Sequence, residues 1–256
     1  MKIFLSGLDN ARDTKRNGSK HAVELLVENG VQMRWNLMSF FYMRTKKGLP
    51  EYVRDHSEEI MIDSGAHSFQ KGTHVDWDKW TEEYSDFIRR FDQPKVRGYF
   101  EMDVDNVIGF DKVLQLRRRL ETVTDKIIPV WHKNRGIDGF KQMCEEYAGK
   151  IVAVTGFKNE DIQDHQYLMF LKYAHSKGCK VHCLGMTRKE ILDRVPFDFT
   201  DSTSWAHNVL YGKIRNRKVT VQYSSEERGK AYVQSYIEAK ERQEYYYKKW
   251  QHICRD

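Results

Sequence analysis

Three acids close apolar runs in this chain: Asp63 ends IMID ahead of Ser64-Gly65, Asp103 ends YFEMD, and Asp201 stands in FDFTDSTSW. Burying a lone carboxylate is costly, so an acid closing a buried strand needs a reason beyond packing. In parallel α/β folds the C-terminal strand ends form the ligand-binding face. Three acids there predict one polar pocket assembled from distant parts of the chain. Further strand-end residues join the set: Asp105, His132, Thr155-Gly156-Phe157, Gly185 and Ser202. Glycines let a ligand approach the backbone and leave N–H groups to donate, while carboxylates accept from amino and ring N–H groups. A planar heterocycle with both donors and acceptors suits such a pocket. The set contains no lysine for a Schiff base, and its one histidine among acids argues only weakly for a metal hydrolase.

Each residue also has a plainer role open to it. Asp63 caps the following turn, or Asp103 pairs with a barrel arginine. Asp105 faces solvent or caps a loop, His132 is a satisfied core histidine, and Asp201 bonds the backbone of Ser202 or Thr203. Their grouping at the same end of successive strands favours function.

The elements that must hold these residues alternate. KIFLSG reads as a strand and residues 18–29 as a helix with Ala22, Leu25 and Leu26 on one face. MRWNLMSFFYM fits a strand or a buried helix start. IMID is a strand, and VDWDKWTEEYSDFIRRF an amphipathic helix burying Trp77, Trp80, Tyr84, Phe87, Ile88 and Phe91. GYFEMDVD, IIPVWH, IVAVTG, KVHCLG and FDFTDS are the later strands, with helices between them. Gly149 and Gly178 stop two of these helices, and Thr187 is the expected N-cap of a third. About eight strands in βαβ alternation predict a (β/α)8 TIM-like barrel, with an open doubly wound sheet as the alternative. No G-x-G-x-x-G follows the first strand, which argues against a dinucleotide site. A charged helix over 226–250, with its Tyr245-Tyr246-Tyr247 cluster, is expected outside the barrel, and 1–256 reads as a single domain.

Composition sets bounds. The 256 residues can bury a full core, and 40% hydrophobic content with four prolines is ordinary for a globular chain. The formal charge of +6 leans modestly toward a polyanionic partner. No run resembles a signal peptide or membrane span, so a cytoplasmic protein without membrane contact is expected. Cys144, Cys179, Cys183 and Cys254 form no C-x-x-C pair, so buried reduced thiols are expected and no metal site.

Six segments, in order across residues 60–212, resemble the tRNA-guanine transglycosylase superfamily. These are DSGAHSF, EMDVD, PVWH, AVTGF, VHCLG and TDSTSW. The likeness is nearest to the archaeal-type enzymes and their DNA-modifying relatives in phages and bacteria. It implies a barrel that exchanges guanine for a 7-deazaguanine such as preQ0, without a cofactor. It casts Asp201 as nucleophile and Asp63 as general acid/base. Asp103 grips the base edge, Gly156 donates its N–H to the base carbonyl, and His132 replaces a glutamine. Ser64 and Phe157 join the base site, and either His67 or Phe69 takes the place of the family aromatic that stacks on the base; Trp205 is a further stacking candidate. The zinc-binding insertion and the C-terminal RNA-binding extension of the tRNA enzymes are absent, which tips the expected polymer toward DNA, with tRNA as the alternative. Expected phosphate contacts are Lys133, Arg135, Arg215, Arg217 and Lys218. The run Arg117-Arg118-Arg119 is expected on a solvated helix face. Accessory proteins are possible partners. A non-exchanging nucleobase-binding barrel or a hydrolase remains the competing class.

Overall fold

In the structure, a computed structural model, residues 1–13, 19–69, 75–156, 161–214, 217–218 and 223–254 are described. The strands are β1 (Lys2–Ser6), β2 (Met33–Ser39), β3 (Ser57–Asp63), β4 (Val96–Phe100), β5 (Ile127–Ile128), β6 (Val130–Trp131), β7 (Ile151–Thr155), β8 (Lys180–Leu184) and β9 (Phe199–Ser202). All pair in parallel, in the order β5-β4-β3-β2-β1-β9-β8-β7-β6. The two ends of that order are one stretch of chain. Pro129 has no N–H to give and splits it, so β5 pairs β4 and β6 pairs β7, while the Pro129 carbonyl accepts from Ala153 N–H at 2.8 Å. Counting β5 and β6 as one strand, eight strands close on themselves, and the chain is the expected (β/α)8 barrel.

Strand periodicity divides the side chains into two cores. Phe4, Trp35, Leu37, Met61, Phe100, Ile128, Val130, Ala153 and Phe199 fill the lumen. Outward residues such as Ile3, Ile60, Ile62, Val152 and Val181 pack under the helices. The helices are α1 (Ala22–Glu28), α2 (Phe40–Met43), α3 (Leu49–Asp55), α4 (Trp77–Phe91), α5 (Asp105–Ile108), α6 (Phe110–Glu121), α7 (Gly136–Glu146), α8 (Tyr167–Ser176), α9 (Lys189–Leu192), α10 (Ser204–Leu210) and α11 (Ser225–Trp250). The MRWNLMSFFYM segment is thus strand first and one helical turn after. Asp76 caps α4 by accepting from Lys79 N–H at 3.0 Å. Thr187 caps nothing: α9 begins after Arg188, has no side-chain cap, and lasts four residues.

α11 starts with a capping box between Ser224 and Glu227 and packs against β1, α1 and α10. It lies against the outside of the barrel and also seals it. β1 and β2 begin to pair only at Leu5 and Asn36. Below that point Gln243 donates from Nε2 to Ile3 O (2.7 Å) and Trp35 O (2.9 Å), and Tyr236 donates to Asn36 Oδ1 (2.8 Å). These carbonyls would otherwise be buried without a donor. Tyr247 packs against the lumen residues beside Trp35, ring centroids 5.2 Å apart. Cys144, Cys179 and Cys183 are buried free thiols. No described helix is long and apolar enough to cross a membrane.

Candidate functional site

The alternation that fills the lumen also builds the site. One step of two residues past the lumen layer leads from Phe4 to Ser6, Leu37 to Ser39, Met61 to Asp63, Val130 to His132, Ala153 to Thr155 and Phe199 to Asp201. All six C-terminal members line one cavity of about 570 Å³ at the C-terminal mouth of the barrel. Asp103 reaches the same cavity from the loop after β4, and Asp9, Asp161, His67 and His207 also border it. The volume fits a small organic ligand.

Asp63 does two things. Its Oδ2 accepts from Gly65 N–H at 3.1 Å, so it caps the turn, and it lines the cavity. Gly65 is required there: φ is +73°, and a Cβ would lie 2.4 Å from Phe41 Cβ. The turn is anchored from outside by Trp80 of α4, whose Nε1 donates to Ser64 O at 3.1 Å. Withdrawal from water pushes the Asp63 carboxyl up to about 6; Gly65 N–H and the Ser39 hydroxyl pull against this, and the charge of Asp201 adds to it. Asp103 is pushed up to about 8, by burial first and then by the Asp63 charge, with His132 opposing.

Asp201 takes no Asx-turn. Its Oδ1 accepts from His182 Nε2 at 3.0 Å and from Gly185 N–H at 2.9 Å, while Ser202 Oγ instead meets Ser204 at 2.8 Å. His132 is not a plain core histidine. Its Nδ1 bonds Asp161 Oδ2 at 3.0 Å, and Asp161 also accepts from Thr155 Oγ1 (2.6 Å) and Lys133 N–H (3.2 Å). Burial would raise the Asp161 carboxyl, but these donors, His132 foremost, hold it at about 2. A carboxylate only accepts, so Nδ1 carries a proton. Burial works against the imidazolium, yet Asp161, Asp105 and Asp103 together raise the pKa of His132. Nε2 has no hydrogen-bond partner among the described residues; Asp105 Oδ1 stands 3.9 Å away.

Several expected contacts belong to the scaffold instead. The Gly156 N–H donates to Leu184 O at 2.8 Å, so it cannot serve a base carbonyl. Glycine is needed at this position because a Cβ would come within 2.9 Å of Cys183 Sγ and Met186 Cβ. Ser64 is buried and donates to Glu101 O at 2.8 Å. Phe69 packs edge-on against Phe41 and Trp80, while His67 borders the cavity. Trp205 is buried, donating to Ser6 O at 2.8 Å, and is no stacking platform. Arg135 is no phosphate contact: its side chain is 5% exposed and its Nε donates to Asp105 Oδ2 at 2.9 Å. Asp105 is accordingly buried rather than solvent-facing. Arg117 leaves the solvated face expected for it and meets buried Glu101 at 2.6 Å, whereas Arg118 and Arg119 are exposed. Lys133 is exposed beside the His132 loop. Arg217 and Lys218 form one strand of a small antiparallel hairpin with Lys213 and Ile214. Phe157 and Arg215 lie outside the described residues.

Asp9, Asp161 and His182 were missed by the strand-end pattern. Asp9 is buried in the loop after β1, where its Oδ2 accepts from Ser39 N–H at 2.7 Å and Lys46 bonds its carbonyl. Burial pushes it up to about 6 against the Ser39 N–H and the Lys46 charge.

No family model matches this chain, and no curated protein does. Among solved structures, a crystal structure of a candidate dehydratase from Mesorhizobium loti is similar at 14% identity and a TM-score of 0.49, over 88% of this chain and 60% of that one. The chain spans about 60% of that protein's length.

Proposed function

We propose that this barrel is a base-exchanging transglycosylase that replaces guanine in DNA with a 7-deazaguanine such as preQ0. The observation that carries the reading is the convergence of Asp63, Asp103 and Asp201, from three separate strand ends, on one cavity with Asp63 poised at about 6. The roles follow what the resemblance of the six ordered segments implies.

Guanine departs from C1′ through an oxocarbenium-like transition state, which a carboxylate on the opposite face stabilises and then traps. Asp201 is that carboxylate. Asp63 protonates the departing base, then accepts the proton of the incoming one, a task suited to a group titrating near 6. Asp103 and His132 hold the base. A carboxyl pushed up to about 8 is largely protonated at neutral pH and can both donate and accept along a purine edge. With its Nδ1 proton given to Asp161, His132 Nε2 donates to a carbonyl oxygen when the ring is the imidazolium that its acid neighbours favour, a donor that Gly156 does not supply. The target base must leave its stack, which costs a few kcal/mol in a duplex.

Duplex DNA carrying radiolabelled guanine, incubated with preQ0, is expected to release label, and Asp201→Ala to release none. Release from tRNA but not DNA would move the same chemistry to tRNA. Release with water alone, leaving no base inserted, would make the protein a hydrolase. No release from either polymer, with or without preQ0, would leave a binding barrel.

A further inference from the structure

The two hydrogen bonds to Asp201 fall on the same oxygen. Oδ1 accepts from His182 and from Gly185 N–H, which leaves Oδ2 as the oxygen to attack. His182 is an odd residue for its place. It is fully buried in the lumen, with its ring 5.0 Å from Phe100, 6.3 Å from Phe4 and 6.4 Å from Phe199. Its Nδ1 has no partner among the described residues. An unsatisfied ring nitrogen in an aromatic layer is unfavourable, and a phenylalanine would meet the same three rings without it. What phenylalanine lacks is the Nε2–H aimed at Asp201.

We propose that His182 is a positioning residue that governs how long the covalent intermediate lasts; this rests on the transglycosylase reading above. In the first step an Oδ2 lone pair bonds C1′, the C1′–N9 bond breaks, and its electron pair leaves on N9, which takes the proton of Asp63. Oδ1 is now the carbonyl oxygen of a neutral ester. In the second step N9 of the incoming base gives its proton to Asp63 and bonds C1′, and the Oδ2–C1′ pair returns to the carboxylate. Hydrogen bonds to an ionised acceptor are roughly twice as strong as those to a neutral one. The His182 bond is therefore strongest when Asp201 is free and weakest in the ester. It draws the equilibrium back toward free carboxylate and lowers the barrier to breaking the ester.

The test is the steady-state amount of covalent adduct, read on a denaturing gel, beside the exchange rate with preQ0. In His182→Phe the ratio of adduct to free enzyme is expected to rise roughly fivefold to tenfold while exchange slows. His182→Gln, which keeps a donor, is expected to restore both toward wild type. His182→Leu carries the Phe expectation if the Phe variant does not fold. Loss of packing alone would lower adduct and exchange together, and that result in a variant with an unchanged Tm overturns the proposal. A wild-type adduct that His182→Phe leaves at the same level overturns it too, and leaves the transglycosylase reading standing. A wild-type protein that forms no adduct on DNA or tRNA overturns both.

Discussion

A carboxyl that must give a proton and take it back works best when it titrates near the ambient pH. Asp63, at about 6, meets that condition through burial and the neighbouring Asp201 charge. The exchange rate is therefore expected to peak near pH 6. It falls above because guanine then leaves without its proton, and below because the incoming base keeps its own; a pH–rate profile checks this. The same acids oppose stability. Asp9 and Asp63 (each about 6) and Asp103 (about 8) all titrate above 3.8 in the fold, so between about pH 4 and 8 the native state binds more protons than the unfolded chain. Stability then falls as pH rises through that window. Asp103→Asn is expected to raise stability at pH 8 by up to about 5 kcal/mol, with a matching rise in Tm, and by little at pH 4. Thermal melts at the two pH values decide it. At this scale the sequence exposed the acids that end strands, because a charge closing an apolar run stands out. Asp9 and Asp161 sit in polar loops, where an acid is unremarkable and its burial depends on how the loop folds back. The Gly156 error has a similar cause: a glycine needed for close backbone packing looks like one needed for a ligand.

At the scale of elements, two devices hold the acids in place. One is the α4 face, where Trp80 fixes the Ser64 carbonyl and Tyr84 donates near the ends of β3 and β4, at 3.2 Å to Ile62 O and 3.3 Å to Phe100 O. The other is the buried Glu101–Arg117 pair, where Glu101 also accepts from Val130 N–H at 2.6 Å and so ties β4 to β6. Removing Arg117 takes the hydrogen-bonded counter-ion from a buried carboxylate and leaves only Arg135 Nη1, at 3.6 Å from Glu101 Oε1, as a nearby cation. Arg117→Met is expected to cost about 3–5 kcal/mol in denaturant unfolding; a change under about 1 kcal/mol would mean the pair is not buried as described. Helical periodicity revealed α4 and its apolar face almost whole. It did not reveal Arg117, because one buried arginine in an RRR run looks the same as its two solvated neighbours. Nor did it show that Gln243 closes the β1–β2 gap, since a lone glutamine in a charged helix carries no pattern of its own.

For the whole molecule, closure of the barrel is what turns separate strand ends into one pocket. The count of strands was legible because βαβ units repeat at regular intervals. Closure was hidden, for it lies in the pairing of the 127–131 stretch with β4 on one side and β7 on the other, and a strand pattern does not show its neighbours. The mouth so formed is acidic within, while the formal charge of the chain is +6. On the transglycosylase proposal that contrast suits a base held inside and a polyanion outside, where Lys133, next to His132 in the chain, is exposed. The central claim is that Asp201 bonds C1′ of a nucleotide. Incubating the protein with guanine-containing DNA and no incoming base, then digesting it and mapping the peptides by mass spectrometry, tests that claim most directly. The account predicts a nucleotide attached to Asp201 and no modification in Asp201→Asn. Guanine release with Asp201 unmodified would contradict it.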